Sequence, residues 1–258
     1  MARKPVSTDE AARRALEADW AKRLAKFEEL ATTNTDELSE DDVHDLRVTT
    51  RRLRAALWVL RHCMLNKTAE RCHRELRSVG MALGERRMWD IAQRDAESHG
   101  ADTSEIERQR GHAHAKLRRA LERSRIRRLV TTLQKLEAEL PGVMLEKLAP
   151  WLQGYEWELA YRLVQPPKTP ETRHELRIQA KKTRYVLECL GRRAPSLEKL
   201  QDHLGREHDL HLLRGIIGAK RGLAADARAA HARANRVMPA ALRSGMRQLH
   251  MLQRDLTR

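Results

Sequence analysis

Histidine and basic residues occur at matching offsets in two segments of this chain, and together they could bind a polyanion. The segments cover residues 43–57 and 173–187 and lie 130 residues apart. In each, a histidine is followed by an acidic residue, leucine, arginine, an aliphatic residue and then several basic residues. Arginine can meet phosphate oxygens through two parallel hydrogen bonds, whereas lysine acts as a point charge. Because the basic residues themselves are repeated, the pattern indicates one cationic site assembled from two halves.

A helix is the element that would position these side chains. At about 100° per residue, the histidine and three basic residues of each segment fall on a stripe about 80° wide, beside an apolar face. Spacings of three and four residues place neighbouring side chains about 5–6 Å apart, which suits successive phosphates of a flexible chain. The stripes contain His44, Arg47, Arg51 and Arg54 in the first copy, and His174, Arg177, Lys181 and Arg184 in the second.

A shorter motif is also repeated, downstream of each basic helix. Residues 82–90 and 203–209 both contain Leu-Gly followed by charged residues. Glycine often follows the last residue of a helix, so Gly84 and Gly205 are predicted to end one helix before another begins. The recurrence of this motif after both basic segments supports an internal duplication.

With these two motifs, the chain resembles the CHAD domain, the conserved histidine α-helical domain, over about residues 8–256. The resemblance implies an all-α fold with two pseudo-symmetric four-helix-bundle-like halves, about 8–140 and 143–256, around a basic central cavity. It further implies binding of inorganic polyphosphate, to store it, recruit it or localise the protein to polyphosphate granules. Met88 departs from the motif, where an acidic residue is usual, whereas Asp209 keeps that acid.

The resemblance also assigns the histidines and basic residues of both segments to the binding site, and we add basic residues of the helix after the first segment and of the Leu-Gly motifs. The two histidines could add positive charge beside phosphate, or could stay neutral and hydrogen-bond an arginine. The full candidate set is His44, Arg47, Arg51, Arg52, Arg54, Arg74, Arg77, Arg87, His174, Arg177, Lys181, Lys182, Arg184 and His208.

Composition agrees with a helical protein that binds a polyanion. The 258 residues include 51 Lys and Arg against 36 Asp and Glu, a formal net charge of +15. Such an excess favours nucleic acid, an anionic membrane surface or polyphosphate as partner. Helical periodicity runs through almost the whole chain, and aromatic residues are only 3% of it. Leucine and alanine are therefore expected to build the core.

Sequence-independent nucleic-acid binding is the alternative function, because the charge alone would attract DNA or RNA. Against it, the aromatic residues are scattered along the sequence and indicate no base-stacking platform. Trp58 lies on the first basic stripe, where it could stack on a base or pack at the end of the helix.

Motifs for catalysis are missing from the sequence, so neither enzymatic activity nor a cofactor is expected. There is no Walker A or His-Glu-x-x-His motif. His203, Glu207, His208 and His211 cluster around the second Leu-Gly motif and could form a metal site, contact an anion or cap a helix. We favour the last two roles and predict no metal.

The remaining features concern the compartment. No apolar run reaches 18 residues and the first residues contain no apolar signal segment, so neither a membrane partner nor secretion is expected. Cys63, Cys72 and Cys189 contain no CxxC pair and are expected to be thiols in a reducing compartment. The cytoplasm, with association with granules, is the expected location, and the sequence gives no oligomeric state.

Overall fold

Continuous helical periodicity produces a fold made of helices. The computed structural model describes residues 8–64, 67–218 and 222–257, and within these ranges it contains no strand. The predicted all-α class is therefore confirmed. The α-helices are α1 Thr8–Thr32, α2 Glu40–Met64, α3 Lys67–Ser98, α4 Ser104–Ala120, α5 Arg123–Glu137, α6 Ala149–Val164, α7 Pro170–Cys189, α8 Pro195–Ile217 and α9 Leu223–Leu256, with short 3-10 helices at Thr35–Glu37, Leu140–Gly142 and Leu145–Leu148.

The two basic segments form α2 and α7, and each begins with side chains that satisfy the first backbone amides. Before α2, the Ser39 hydroxyl accepts from the Asp42 amide at 3.1 Å, and the Asp42 carboxylate accepts from the Ser39 amide at 3.0 Å. Before α7, Thr169 and Thr172 make the same reciprocal pair, with Pro170 in the first turn. Such capping boxes fix where a helix begins, and hence the phase of its basic stripe.

The Leu-Gly motifs do not break their helices, so the predicted helix ends at Gly84 and Gly205 are wrong. Both glycines lie inside one continuous helix, α3 and α8 respectively. An interior glycine costs a helix only about 1 kcal/mol. Burial of the preceding leucines, Leu83 and Leu204, offsets that cost because each side chain is at most 2% exposed.

Leucine and alanine fill the interior, as the composition predicts. One large cluster of buried side chains extends from Ala12 to Leu256 and includes residues of both predicted halves. Its largest members, Trp20 and Phe27 on α1, have no exposed surface. A smaller cluster joins the end of α3 to α4, α8 and α9. The domain limits of 8–256 stay a prediction.

Contacts between the helices place the two basic segments together. In the first half α2 packs on α1 and α3, and in the second half α7 packs on α8, which in turn packs on α9. The halves meet where α2 contacts α7 and α3 contacts α8. The four helices that carry the repeated motifs are therefore neighbours. A pseudo-twofold relation between the halves stays a prediction. No helix among the described residues is both long and apolar enough to cross a bilayer.

Candidate functional site

A cavity of 970 Å³ opens between the four helices that carry the repeats; we call it the central cavity. Side chains of both basic helices and of both helices that follow them line it. Three acidic residues, Glu198, Asp202 and Asp209, oppose eight basic ones. The basic side chains are Arg47, Arg51, Arg52, Arg87, Arg177, Lys181, Arg184 and Arg206.

Matching positions of the repeats line this cavity together. Arg47 with Arg177, and Arg51 with Lys181, are equivalent pairs on α2 and α7. His44 and His174 are a third pair. On α3 and α8, the matching positions are Gly84 with Gly205, Arg87 with His208, and Met88 with Asp209. The same surface of each duplicated segment is thus directed at one shared space.

Gly84 and Gly205 keep this space open. A Cβ atom built at either position would meet no heavy atom within 4 Å, because each glycine borders the cavity and not a neighbouring helix. The glycines are therefore not needed for a turn or for close packing. Any larger residue at these positions would extend into the volume that the basic side chains surround.

Burial lowers the pKa values of the central cations. Burial, together with the positive charges of Arg51 and Arg177, lowers the pKa of Lys181 to about 6. Burial and the neighbouring Arg51 lower the pKa of Arg47 to about 9. Burial in turn raises the pKa of Asp209, although Arg177 and Arg47 partly oppose this change. Close, partly desolvated cations repel each other, so a bound anion would relieve the repulsion.

Burial and neighbouring cations favour the neutral form of the histidines of the cavity. Burial, followed by nearby arginines, lowers the pKa of both His44 and His174 below the ordinary value of 6.5. The same causes lower the pKa of His208 to about 4. The rings of His174 and His208 lie 4.5 Å apart. His174 Nδ1 is buried without a hydrogen-bond partner among the described residues, so its hydrogen-bonding capacity is unused.

Two of the predicted site residues are neutralised by acids. Arg52 pairs with Glu188 at 2.9 Å and lies 4.0 Å from Asp19. Arg184 pairs with Glu198 at 2.5 Å and lies 3.6 Å from Glu188. Both guanidinium groups also lie over the Tyr185 ring, at 5.8 and 4.7 Å from its centroid. These arginines border the cavity but hold its wall together, so less of their charge is available to a ligand.

The structure separates Arg74 from the other predicted residues. Its side chain is 69% exposed, lies 3.7 Å from Glu70 and does not line the central cavity. Arg87 does reach the central cavity, where it also contacts Glu40 at 3.4 Å. Arg74 and Arg77 are three residues apart on α3, but only Arg77 lines a cavity, which is described next.

A further cavity of 610 Å³ adjoins the first; we call it the second cavity. It shares Arg51, Ile178, Lys181 and Tyr185 with the central cavity, and no acidic residue of the described chain lines it. Three predicted residues line only this cavity, and two basic side chains were missed by the sequence analysis. The predicted ones are Arg54, Arg77 and Lys182, and the missed ones are Arg61 and His73.

Aromatic rings gather beside the second cavity, contrary to the expectation that they are scattered. Trp58 stacks on Tyr155 with centroids 5.2 Å apart, and both line the cavity. His62 lies 4.4 Å from the Trp58 ring and 4.2 Å from the Trp151 ring. The helices that carry them, α2 and α6, are far apart in sequence, which is why the sequence pattern did not indicate a cluster.

Two acidic residues of the Leu-Gly motifs accept hydrogen bonds from arginine side chains. Asp90 is 1% exposed and accepts hydrogen bonds from Arg86 at 2.9 Å and Arg110 at 2.7 Å. Glu207 accepts two bonds of 2.6 Å from Arg173, which also bonds Asn235. Asp90 is thus a structural ion-pair partner in a buried position.

The histidines around Glu207 are the residues that the sequence analysis considered as metal ligands. Within residues 8–64, 67–218 and 222–257, no three His, Cys, Asp or Glu side chains are close enough to share a metal ion. Glu207 is instead occupied by Arg173 and by His231 at 2.9 Å. The helical spacing of His203, Glu207 and His211 therefore does not produce a cluster of ligands.

Comparisons with known proteins agree with the all-α fold. The model of the CHAD domain family matches residues 14–218. A crystal structure of the CHAD domain from the plant Ricinus communis is similar at 21% identity, with a TM-score of 0.63, over 96% of this chain and 95% of that one. The structure of PptA from Streptomyces chartreusis is similar at 16% identity, with a TM-score of 0.65, over 93% and 99%. No curated protein matches by sequence.

Proposed function

Because this chain belongs to the CHAD domain family, known for binding polyphosphate, we propose that it binds inorganic polyphosphate in the central cavity. The observation that carries the proposal is the lining of that cavity, with eight basic residues and three acidic ones. Inorganic polyphosphate offers only oxygens and negative charge, so a site for it needs fixed cations and no base-reading surface. Arginine provides the two parallel donors that match a phosphate group.

Unused hydrogen-bond donors support the same ligand. The Nε atoms of Arg87 and Arg177 are buried and have no hydrogen-bond partner among the described residues. Buried polar groups are normally paired, and leaving one unpaired costs about 1–3 kcal/mol. A phosphate chain in the central cavity would satisfy such donors and would separate cations that now repel one another.

The role we propose is to hold polyphosphate without chemical conversion. The protein would store it, recruit it or bring itself to polyphosphate granules in the cytoplasm. Lys181 and the two repeat histidines line the central cavity, and burial and neighbouring cations favour their neutral forms in the free protein. They are thus suited to gain a proton with a bound anion.

A competition titration tests the proposed function. Long-chain polyphosphate is titrated into the protein at physiological salt, and single-stranded DNA is added at equal charge concentration. We expect polyphosphate to bind about tenfold or more tightly than DNA, because a defined site discriminates by contact geometry whereas general attraction does not. Equal competition by DNA would refute a dedicated polyphosphate site and favour the nucleic-acid alternative.

The affinity for polyphosphate should increase as the pH falls from 8 to 6. The pKa of Lys181 is about 6 in the free protein, and a phosphate chain beside it would move that pKa back towards 10.5. Binding then takes up a proton within this range, so the affinity gains up to about tenfold per pH unit. Titrations at pH 8, 7 and 6 measure the slope. The Lys181→Arg variant keeps the charge at all three values, so an undiminished slope in it would contradict this origin.

A further inference from the structure

The aromatic cluster beside the second cavity has no use in binding inorganic phosphate. Helix α2 supplies Trp58 and His62, and α6 supplies Trp151 and Tyr155, in each case four residues apart. The His62 ring is held by a 2.6 Å contact between Nδ1 and the Trp58 carbonyl oxygen. Burial lowers the pKa of His62, which leaves its ring neutral and able to stack. The four rings therefore form an ordered apolar surface.

Part of this surface is open to a ligand. Trp58 and Tyr155 are partly buried and line the second cavity, whereas Trp151 remains 49% exposed. Trp58 stacks on Tyr155 and makes a tilted contact with His62. A flat ring entering from the cavity would therefore extend the existing stack and would not need to separate it.

The cations opposite these rings are unusually free. Arg54, Arg61 and Arg77 line the second cavity, and none of them forms an ion pair with a described residue. Arg54 Nε is buried without a hydrogen-bond partner among those residues. Burial, together with repulsion by the nearby charge of Arg77, lowers the pKa of Arg54. A short phosphate chain would relieve that repulsion.

We propose that the second cavity binds a nucleoside triphosphate or a similar nucleoside polyphosphate. Its base would lie against Tyr155 and Trp58, and its phosphates would lie on Arg54, Arg77 and Lys182. The volume of 610 Å³ is within the range of about 300–1,000 Å³ that is typical for small-ligand sites. An apolar aromatic wall and an acid-free cationic wall in one cavity match a ligand with one ring system and one phosphate chain.

This inference goes beyond the proposed function, although the two cavities meet. Arg51 and Lys181 line both, so a phosphate chain in the central cavity and a nucleotide in the second cavity would compete for them. The nucleoside would distinguish the ligands, because inorganic polyphosphate has no ring to place on the aromatic cluster.

The test compares ATP with inorganic tripolyphosphate, which has the same phosphate chain but no nucleoside. Both are titrated calorimetrically at physiological salt without divalent cations. Stacking of one base contributes about fivefold to a hundredfold in affinity, so ATP should bind at least about fivefold more tightly. Tyr155→Leu should remove this preference and leave the affinity for tripolyphosphate unchanged. Trp151 lies outside the cavity lining, but its ring contacts those of Trp58 and His62. Trp151→Leu, a change at a half-exposed ring, should therefore loosen the cluster and reduce the preference without endangering the fold.

Trp157→Leu is the matched control, because Trp157 lies on the same helix, is 68% exposed and lies outside the cavity lining. It should keep the full preference for ATP. Equal affinity of the parent protein for ATP and tripolyphosphate would overturn the inference. So would tighter binding of a ten-residue oligoadenylate than of ATP, which would indicate a nucleic-acid surface.

Long-chain polyphosphate titrated into the same samples keeps this inference separate from the proposed function. If polyphosphate binds but ATP shows no preference over tripolyphosphate, only the nucleoside site is refuted. If ATP is preferred but polyphosphate binds no better than DNA, only the proposed function is refuted.

Discussion

Replacing Arg51 and Lys181 together by alanine should weaken the binding of long-chain polyphosphate by about a hundredfold or more. The two residues occupy equivalent positions of the repeats and line both cavities. A hydrogen bond to a charged group is worth about 1.5–3 kcal/mol, and 1.4 kcal/mol corresponds to tenfold in affinity. Loss of one such contact from each basic helix gives the expected factor. A titration at physiological salt measures it.

The control removes two basic side chains from outside the cavities. Arg74 is 69% exposed, and Arg254, near the end of α9, is 52% exposed. A protein with Arg74→Ala and Arg254→Ala should bind polyphosphate within about threefold of the parent, because exposed charges are screened at this salt concentration. Equal losses in both double variants would mean that binding follows net charge and not a defined site.

Loss of binding in the Arg51 and Lys181 variant should not reflect loss of stability. The folded pKa of Lys181 is about 6, against an ordinary value of 10.5, so between these values the unfolded chain holds a proton that the folded chain lacks. At pH 7 this group therefore opposes folding, and the opposition grows as the pH falls towards 6. Removing it should leave the melting temperature unchanged or raise it.

Replacing Asp90 by alanine should destabilise the protein, with a loss of about 3–5 kcal/mol in the free energy of unfolding. Asp90 is buried on α3 and holds two guanidinium groups, of which Arg86 is only 6% exposed. Without the carboxylate, Arg86 would be a buried charge whose remaining hydrogen-bond partner is His114, at 2.7 Å. Urea denaturation followed by circular dichroism gives the change.

Asp45→Ala is the matched comparison for Asp90→Ala. Asp45 is exposed on α2 and forms no ion pair with a described residue. The same chemical change there should alter the free energy of unfolding by less than about 0.5 kcal/mol. A similar loss in both variants would show that Asp90 acts through net charge, and not through the buried pair with Arg86.

The sequence predicts which face of each basic helix is buried and which carries the basic stripe, because both depend on local periodicity. The apolar residues beside each stripe, among them Leu53 on α2 and Leu187 on α7, have no exposed surface, and the stripes line the two cavities. The capping residues Ser39 and Thr169 were also recognisable, because a cap is made by residues within one turn. Three matching pairs, His44 with His174, Arg47 with Arg177 and Arg51 with Lys181, line the same cavity, whereas Arg54 and Arg184 line different ones.

Features that depend on tertiary contacts could not be predicted in the same way. Gly84 and Gly205 were assigned to helix ends from local preference, but packing of the adjacent leucines carries the helices through them. Arg52 was expected to face the ligand and is paired with Glu188, which is distant in sequence. Arg61 could have been found, because it lies two turns beyond Arg54 and extends the stripe of α2 into the second cavity.

Gly84 and Gly205 leave open space beside them in the central cavity, and a chemical reporter could be attached there. Burial raises the pKa of the Cys63 thiol to about 12 and that of Cys72 to about 11, and it also raises the pKa of Cys189. The three native thiols are thus poorly reactive near neutral pH, since the thiolate is the reacting form. Gly205→Cys would introduce a cysteine beside the basic side chains of the central cavity without removing any of those side chains. Among the described residues, it would be the one thiol that is readily labelled. A fluorophore attached there would report occupancy of the cavity from within it.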